Sequence, residues 1–232
     1  MSGPPSVAAE AALERAIDAF QRGQPVLIHD FDDREGETDL VYPAAAVDPV
    51  DVARLRNDAG GLVCVALSAA VADAYDLPFL QNVLDHPAAE NHELSYDDRS
   101  SFSLPVNHRE TDTGITDVDR SRTIRGLAEV ATAVVEAPED ARPGPDAFAA
   151  EFRTPGHVHV LAAADGLLDE RRGHTELGIA LADETELPPA VVVCEMLDDR
   201  TGEALPPADA RAYADRHDLA YVEGAWIVEA FG

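Results

Sequence analysis

PVLIHDFDDREGETDLVYPA, residues 25–44, changes character twice. PVLIHD is short, apolar and rich in strand formers, and it reads as a buried strand. An acidic stretch hangs from its end, and LVYPA then resumes as a second strand. Two strands joined this way place the charged loop at a strand end. Within residues 30–39, six carboxylates surround a single cation, Arg34. Like charges packed this densely raise one another's pKa unless a cation lies among them. The calcium-loop pattern D-x-[DN]-x-[DN]-G fails, because Arg34 and Glu35 occupy its last two places. What remains is an oxygen-rich loop whose arginine either grips a phosphate or carboxylate or neutralises its neighbours. A solvated acidic turn is the bland alternative.

Outward from this stretch, helices and short buried strands alternate. Residues 7–21 read as an amphipathic helix stopped by Gly23 and Pro25, and 48–61 as a helix ended by glycines. LVCVALS (62–68) is a strand and 68–77 a helix. Residues 85–100 lack periodicity and read as a loop. SFSLPVNH (101–108) is a strand that Pro105 assigns to an edge or a bulge. Thr116, with Asp119 three residues on, opens a helix with a capping-box signature. Residues 136–147 read as an acidic, Pro-rich surface loop. HVHVLAAA (157–164) is a strand, a helix starts at HTELG (174–178), and AVVVCEML (190–197) is a buried strand. A helix over 207–219 and a last turn after YVEG close the chain. The alternation argues for a layered α/β (α+β) architecture, a single domain around a mixed β-sheet.

The chain has 232 residues, 46% of them hydrophobic, enough for a real core. No apolar run approaches the ~18 residues of a membrane span. The N-terminus lacks the basic-then-apolar pattern of a secretory signal, so a soluble, cytoplasmic protein is expected. Forty-five acidic residues against 17 basic ones give a net charge of −28. Such a chain repels itself in dilute buffer, whereas at molar salt the Debye length falls to about 3 Å. A salt-rich, halophilic cytoplasm is the simplest setting. Every basic residue is Arg. Without Lys there is no Schiff-base or pyridoxal-phosphate lysine and no GxxxxGK[ST] loop. The charge also argues against a nucleic-acid partner. Cys64 and Cys194 lie in apolar runs and read as buried thiols.

Four further segments could carry chemistry. GHVHV (156–160) places His157 and His159 on one strand face, too few ligands for a zinc site alone. RRGHTEL (171–177) starts a helix after a glycine, with Arg171 and Arg172 beside free backbone N–H groups, a setting for phosphate or carboxylate. His174 and Glu176 there could bind metal or move protons. TDTGITDVDRSRTIR (111–125) also presents Thr and Gly just before a helix. CEM (194–196) puts Glu195 at the end of an apolar strand, where it must be paired or emerge into a cleft. Packed histidines, a basic helix cap and surface charge are the plain alternatives to each.

Taken in order, DREGETD, DAGGLVCVA, TGITDVDRSRTIR, TPGHV, RRGHTE and CEM resemble the 3,4-dihydroxy-2-butanone 4-phosphate synthase family. The likeness runs from about residue 10 to 225. Thr38 and SFSLPVNH resemble its archaeal branch. The resemblance implies a three-layer fold and a single synthase domain over residues 1–232, without the cyclohydrolase domain of some bacterial relatives. It implies a lyase of riboflavin biosynthesis that converts ribulose 5-phosphate to the four-carbon product and formate, by metal-assisted enolisation, skeletal rearrangement and loss of C4. Glu35 and His174 would bind Mg²⁺ or Mn²⁺, with substrate hydroxyls completing the shell. Arg34 and Asp39 would hold the sugar. Arg171, Arg172, Gly173, Thr175 and Thr113 would receive the phosphate end, and His157, Glu195 and Glu37 would serve catalysis. Glu35, His174 and Glu195 would also touch substrate. The family's homodimer, with active sites near the interface, is carried over as an expectation. Read without the resemblance, the same residues fit a metal-dependent hydrolase or sugar-phosphate isomerase, or an acidic cation-binding protein.

Overall fold

A computed structural model describes residues 7–89 and 99–232. The helices are α1 (Val7–Gln21), α2 (Pro49–Asp58), α3 (Ala69–Ala74), α4 (Leu80–Val83), α5 (Asp117–Glu136), α6 (Pro145–Glu151), α7 (His174–Asp183), α8 (Pro207–His217) and α9 (Gly224–Phe231). The strands are β1 (Val26–His29), β2 (Thr38–Pro43), β3 (Cys64–Leu67), β4 (Phe102–His108), β5 (Phe152–Ala162), β6 (Ala190–Val193) and β7 (Ala220–Glu223). They form one seven-stranded sheet in the order β4-β5-β3-β6-β2-β1-β7. β1 runs antiparallel to β2 and parallel to β7, and β3 runs parallel to β5 and antiparallel to β6, so the sheet is mixed.

Side chains alternate along a strand, and this alternation divides the core. Leu27, Leu40, Tyr42, Val65 and Val192 pack on one face with residues of α2, α3 and α5. Val26, Ile28, Val41, Cys64, Val191 and Val193 pack on the other with residues of α1, α7 and α9. The result is the expected three layers, with the sheet between two helical ones. Pro105 sits on the edge strand β4, flanked by register shifts against β5.

Three local expectations differ from the structure. The loop expected over 85–100 lies partly outside the described residues, and just before it α4 makes one turn that its short pattern did not signal. The surface loop expected over 136–147 already contains the start of α6, where Pro145 takes the first helical position. Thr116 caps α5 by accepting from the Asp119 N–H at 3.1 Å, but the reciprocal half of the box is not made. Asp119 instead accepts from the Gly114 N–H at 2.8 Å and the Thr113 hydroxyl at 3.4 Å, tying the preceding loop to the helix start.

α7 sits close to the sheet because Gly178 faces β6. A Cβ there would lie 2.8 Å from Val191 Cγ2, in a fully buried layer. Replacing glycine by alanine in a helix normally gains about 1 kcal/mol. Overpacking against a stiff β-branched neighbour costs about 1–3 kcal/mol. Packing is therefore expected to win, and urea unfolding should find Gly178→Ala less stable than the wild type despite its better helix propensity.

Candidate active site

The loop between β1 and β2 is wound around its own first carboxylate. Asp30 is buried, and its oxygens accept from the Glu35 N–H at 3.3 Å, the Glu37 N–H at 3.0 Å and Arg34 Nη1 at 3.3 Å. The Phe31 carbonyl accepts from the Arg34 N–H at 2.9 Å and the Gly36 N–H at 3.2 Å. Gly36 has φ +69°, a left-handed conformation that glycine adopts without steric cost. On the β1 side, His29 Nδ1 lies 2.9 Å from the Glu37 carbonyl and 3.2 Å from Thr38 Oγ1.

The second wall is the turn that opens α7. A Cβ on Gly173 would stand 2.7 Å from Arg34 Nη2, so glycine lets the guanidinium lie directly against this turn. One residue on, His174 Nδ1 lies 3.5 Å from both Glu35 Oε2 and Asp39 Oδ1. The third wall is the end of β6. Asp39 and Glu195 form an antiparallel bridge there, and the Met196 N–H donates to the Thr38 carbonyl at 2.8 Å. Together these walls enclose a cavity of about 270 Å³. Arg34, Glu35, Asp39, Arg171, His174, Thr175 and Glu195 line it, and Cys64, Phe102 and Leu161 supply its apolar side.

Burial and crowding divide these carboxylates into two kinds. Glu35 would be pushed up by burial, but its contact with His174 and the charges of Arg34 and His174 hold it below the usual range. Asp39 is pushed well up by burial, with Glu195, Glu35 and Glu37 adding to the effect. Burial also raises Glu195, and it raises Glu37 together with the charges of Glu35 and Glu195. Burial disfavours the charged form of His174, but Asp39, the Glu35 contact and Asp30 outweigh it and push the imidazole up to about 9. The site thus sets Glu35, which gives up its proton more readily than an ordinary carboxylate, beside Asp39, Glu195 and Glu37, which hold theirs more tightly. Environments that separate carboxylate pKa values in this way mark out acid and base roles.

One ligand atom from each of Asp30, Glu35 and His174 falls within 4.8 Å of the others. Asp39 Oδ1 and His174 Nε2 are buried without a hydrogen-bond partner among the described residues. Buried polar atoms left without a hydrogen bond beside hard oxygen donors fit a cation such as Mg²⁺, which takes few protein ligands.

Of the residues singled out in the sequence, seven meet at the cavity, and Gly173 supports Arg34 from beneath. Glu37 lies in the same loop but outside the lining. Arg172 points elsewhere, its guanidinium 4.8 Å above the Phe31 ring at the start of the acidic loop. His157 and Thr113 form a separate exposed group around Asn107. His157 Nδ1 lies 3.2 Å from the Asn107 amide, whose Nδ2 donates to the Thr113 carbonyl at 3.5 Å. Neither residue lines the cavity of its own chain. Sequence reading missed Asp30 as the organiser of the loop. Its position as the first carboxylate after the strand was the available signal. It also missed Ser101 and Phe102, which nothing in the local pattern marks.

His174 gives a prediction for the protein in chelator. Its pKa rises from 6.5 to about 9 on folding, so its contribution to stability is fully present below about pH 6.5 and fades as pH rises through 9. NMR should find its imidazole titrating near 9. Asp39→Asn should bring that value down toward the ordinary range.

A family model described as 3,4-dihydroxy-2-butanone 4-phosphate synthase matches residues 14–230. The enzyme of that name from Archaeoglobus fulgidus is 46% identical, over 94% of this chain and 93% of its own length. Its counterpart from Chromobacterium violaceum is 32% identical, over 94% of this chain and 91% of its own. A crystal structure of a 3,4-dihydroxy-2-butanone 4-phosphate synthase in complex with two magnesium ions superimposes with a TM-score of 0.70 at 29% identity, covering 93% of this chain and 94% of the other. The match spans the acidic loop, the α7 turn and the end of β6 alike, and the chain belongs to the 3,4-dihydroxy-2-butanone 4-phosphate synthase family.

Proposed function

We propose that this protein converts D-ribulose 5-phosphate to 3,4-dihydroxy-2-butanone 4-phosphate and formate, a lyase step of riboflavin biosynthesis. The observation that carries this reading is the convergence of a low-pKa Glu35, a raised Asp39 and Glu195, His174 and two arginines in one small cavity. A five-carbon sugar phosphate offers what such a site needs, a dianion at one end and a carbonyl flanked by hydroxyls at the other. The phosphate end is assigned to Arg171, Thr175 and the opening turn of α7, where backbone N–H groups and the helix dipole favour an anion. Arg34 and Asp39 hold the sugar hydroxyls.

Mg²⁺ held by Glu35 and His174, with Asp30 beside them, would act as a Lewis acid on the carbonyl and its neighbouring hydroxyl. Manganese would meet the same ligands. The chain itself moves the protons. A carboxylate takes a proton from the carbon next to the carbonyl, and Glu37 and Glu195, raised by burial, can accept it and return it during rearrangement and formate release. General acid–base steps of this kind are each worth about 10²- to 10⁴-fold. The absence of Lys costs this chemistry nothing.

His157 and Thr113 enter through a second copy of the chain. They are exposed, they lie outside their own cavity, and the exposed apolar residues Ile115 and Val118 follow Thr113 in the chain. A homodimer in which each copy supplies these two residues to the other's site accounts for that arrangement. Residues 1–232 are read as a single synthase domain. No helix among the described residues is long and apolar enough to cross a membrane. The charge of −28 supports a halophilic setting.

Three measurements check this reading. Folded protein in molar KCl should release one formate per ribulose 5-phosphate consumed, and a chelator should abolish it. Substrate loss without formate would point to an isomerase instead. Mixing inactive His157→Ala with inactive Glu35→Gln should restore about a quarter of the wild-type activity through hybrid dimers with one intact site, the statistical yield of random exchange. No recovery after proven subunit exchange would remove His157 from the shared site. The melting temperature should climb from dilute buffer to molar KCl as repulsion is screened, and a flat profile would count against the halophilic assignment.

A further inference from the structure

Glu176 carries the last charge of the RRGHTE turn, and the cavity does not use it. Its side chain is fully buried and stands outside the Asp30–Glu35–His174 group. One carboxylate oxygen, Oε1, accepts from the Ala164 N–H at 3.1 Å. The other, Oε2, accepts from the Gly173 N–H at 3.3 Å. Both oxygens also meet Arg171 Nη1, at 3.4 and 3.2 Å. The Ser101 hydroxyl makes a close contact with the same nitrogen. Three acceptors from two distant parts of the chain therefore converge on one corner of Arg171, whose side chain lines the cavity.

We propose that Glu176 and Ser101 are positioning residues that aim Arg171 at the phosphate of the substrate. The proposal rests on the reading that Arg171 receives that phosphate. An arginine side chain is long and flexible, and it binds an anion well only when its orientation is set before the anion arrives. Glu176 fixes that orientation while anchoring to two backbone N–H groups, so Arg171 is referenced to the α7 turn and to the end of β5 at once. Glutamine cannot reproduce this. Its amide has one acceptor oxygen, and its NH₂ would face either a backbone N–H or the guanidinium, donor against donor.

The sign of the effect separates this role from simple electrostatics. A carboxylate near a phosphate site repels the phosphate, so charge alone predicts tighter binding when Glu176 is neutralised. The positioning role predicts weaker binding. The test is calorimetric titration of inorganic phosphate into the full-length protein in molar KCl, as a cycle of Glu176→Gln and Arg171→Gln. Glu176→Gln should weaken phosphate by roughly three- to thirtyfold in the wild-type background and have no further effect once Arg171 is gone. In the steady state, KM for ribulose 5-phosphate should rise while kcat stays within about twofold, the pattern of lost uniform binding. Should Glu176→Gln fail to fold, Ser101→Ala removes one hydroxyl and is expected to show the same cycle with a smaller loss. Unchanged or tighter phosphate binding in a folded variant would overturn the proposal, and so would an equal loss in both backgrounds. An Arg171→Gln variant that binds phosphate normally would also overturn it, by removing the phosphate reading on which it depends.

Discussion

Burying several carboxylates in one place requires positive charge at the same place, and the contact between Arg34 and the Gly173 turn brings that charge. Arg34 belongs to the acidic loop, but its guanidinium lies against a turn some 140 residues away, where a Cβ would stand 2.7 Å from Nη2. The contact holds loop and turn in register. It also brings His174 to Glu35 and Asp39. Without it, the loop would still wind around Asp30, but its other carboxylates would lose the His174 side chain that faces them.

The sheet makes the contact possible. β1 and β2 present the loop at their shared end, β6 delivers Glu195 beside Asp39, and α7 packs closely enough on β6 to start at the same level. Each element contributes one or two polar side chains at its end, while its middle is spent on the two apolar cores. The carboxylates of the cavity are thus held by rigid backbone, and their pKa values are set by the neighbours that this backbone imposes. A loop free in water would leave all of them near their ordinary values.

Much of this was legible in the sequence, for physical reasons. The β1–loop–β2 unit is written in a sharp apolar-to-acidic-to-apolar change, and α7 in a glycine followed by periodic apolar residues. Arg34, Glu35, Arg171, His174 and Glu195 stood out because each sits at the end of such an element, whereas Asp39 and Thr175 were marked only by the family resemblance. Long-range packing was not legible. Arg172 stacks on Phe31 and stays out of the cavity, a choice made by a ring far off in sequence. Glu176 looked like a metal ligand or proton carrier, but it serves Arg171 and the backbone. Asp119 looked like half of a capping box, but it ties down the Gly114 turn. For Glu176 and Asp119 the spacing permitted two partners, and the tertiary structure selected the one that satisfied a buried backbone donor.

The central claim is that the acidic loop and the α7 turn build a single cation site. Calorimetric titration of Mg²⁺ in molar KCl, with the wild type, Glu35→Gln and His174→Gln, tests it most directly. One residue from each wall is removed, and each loss should weaken Mg²⁺ by more than about tenfold. Wild-type affinity in either folded variant would contradict the account, because the two walls would then not share a metal.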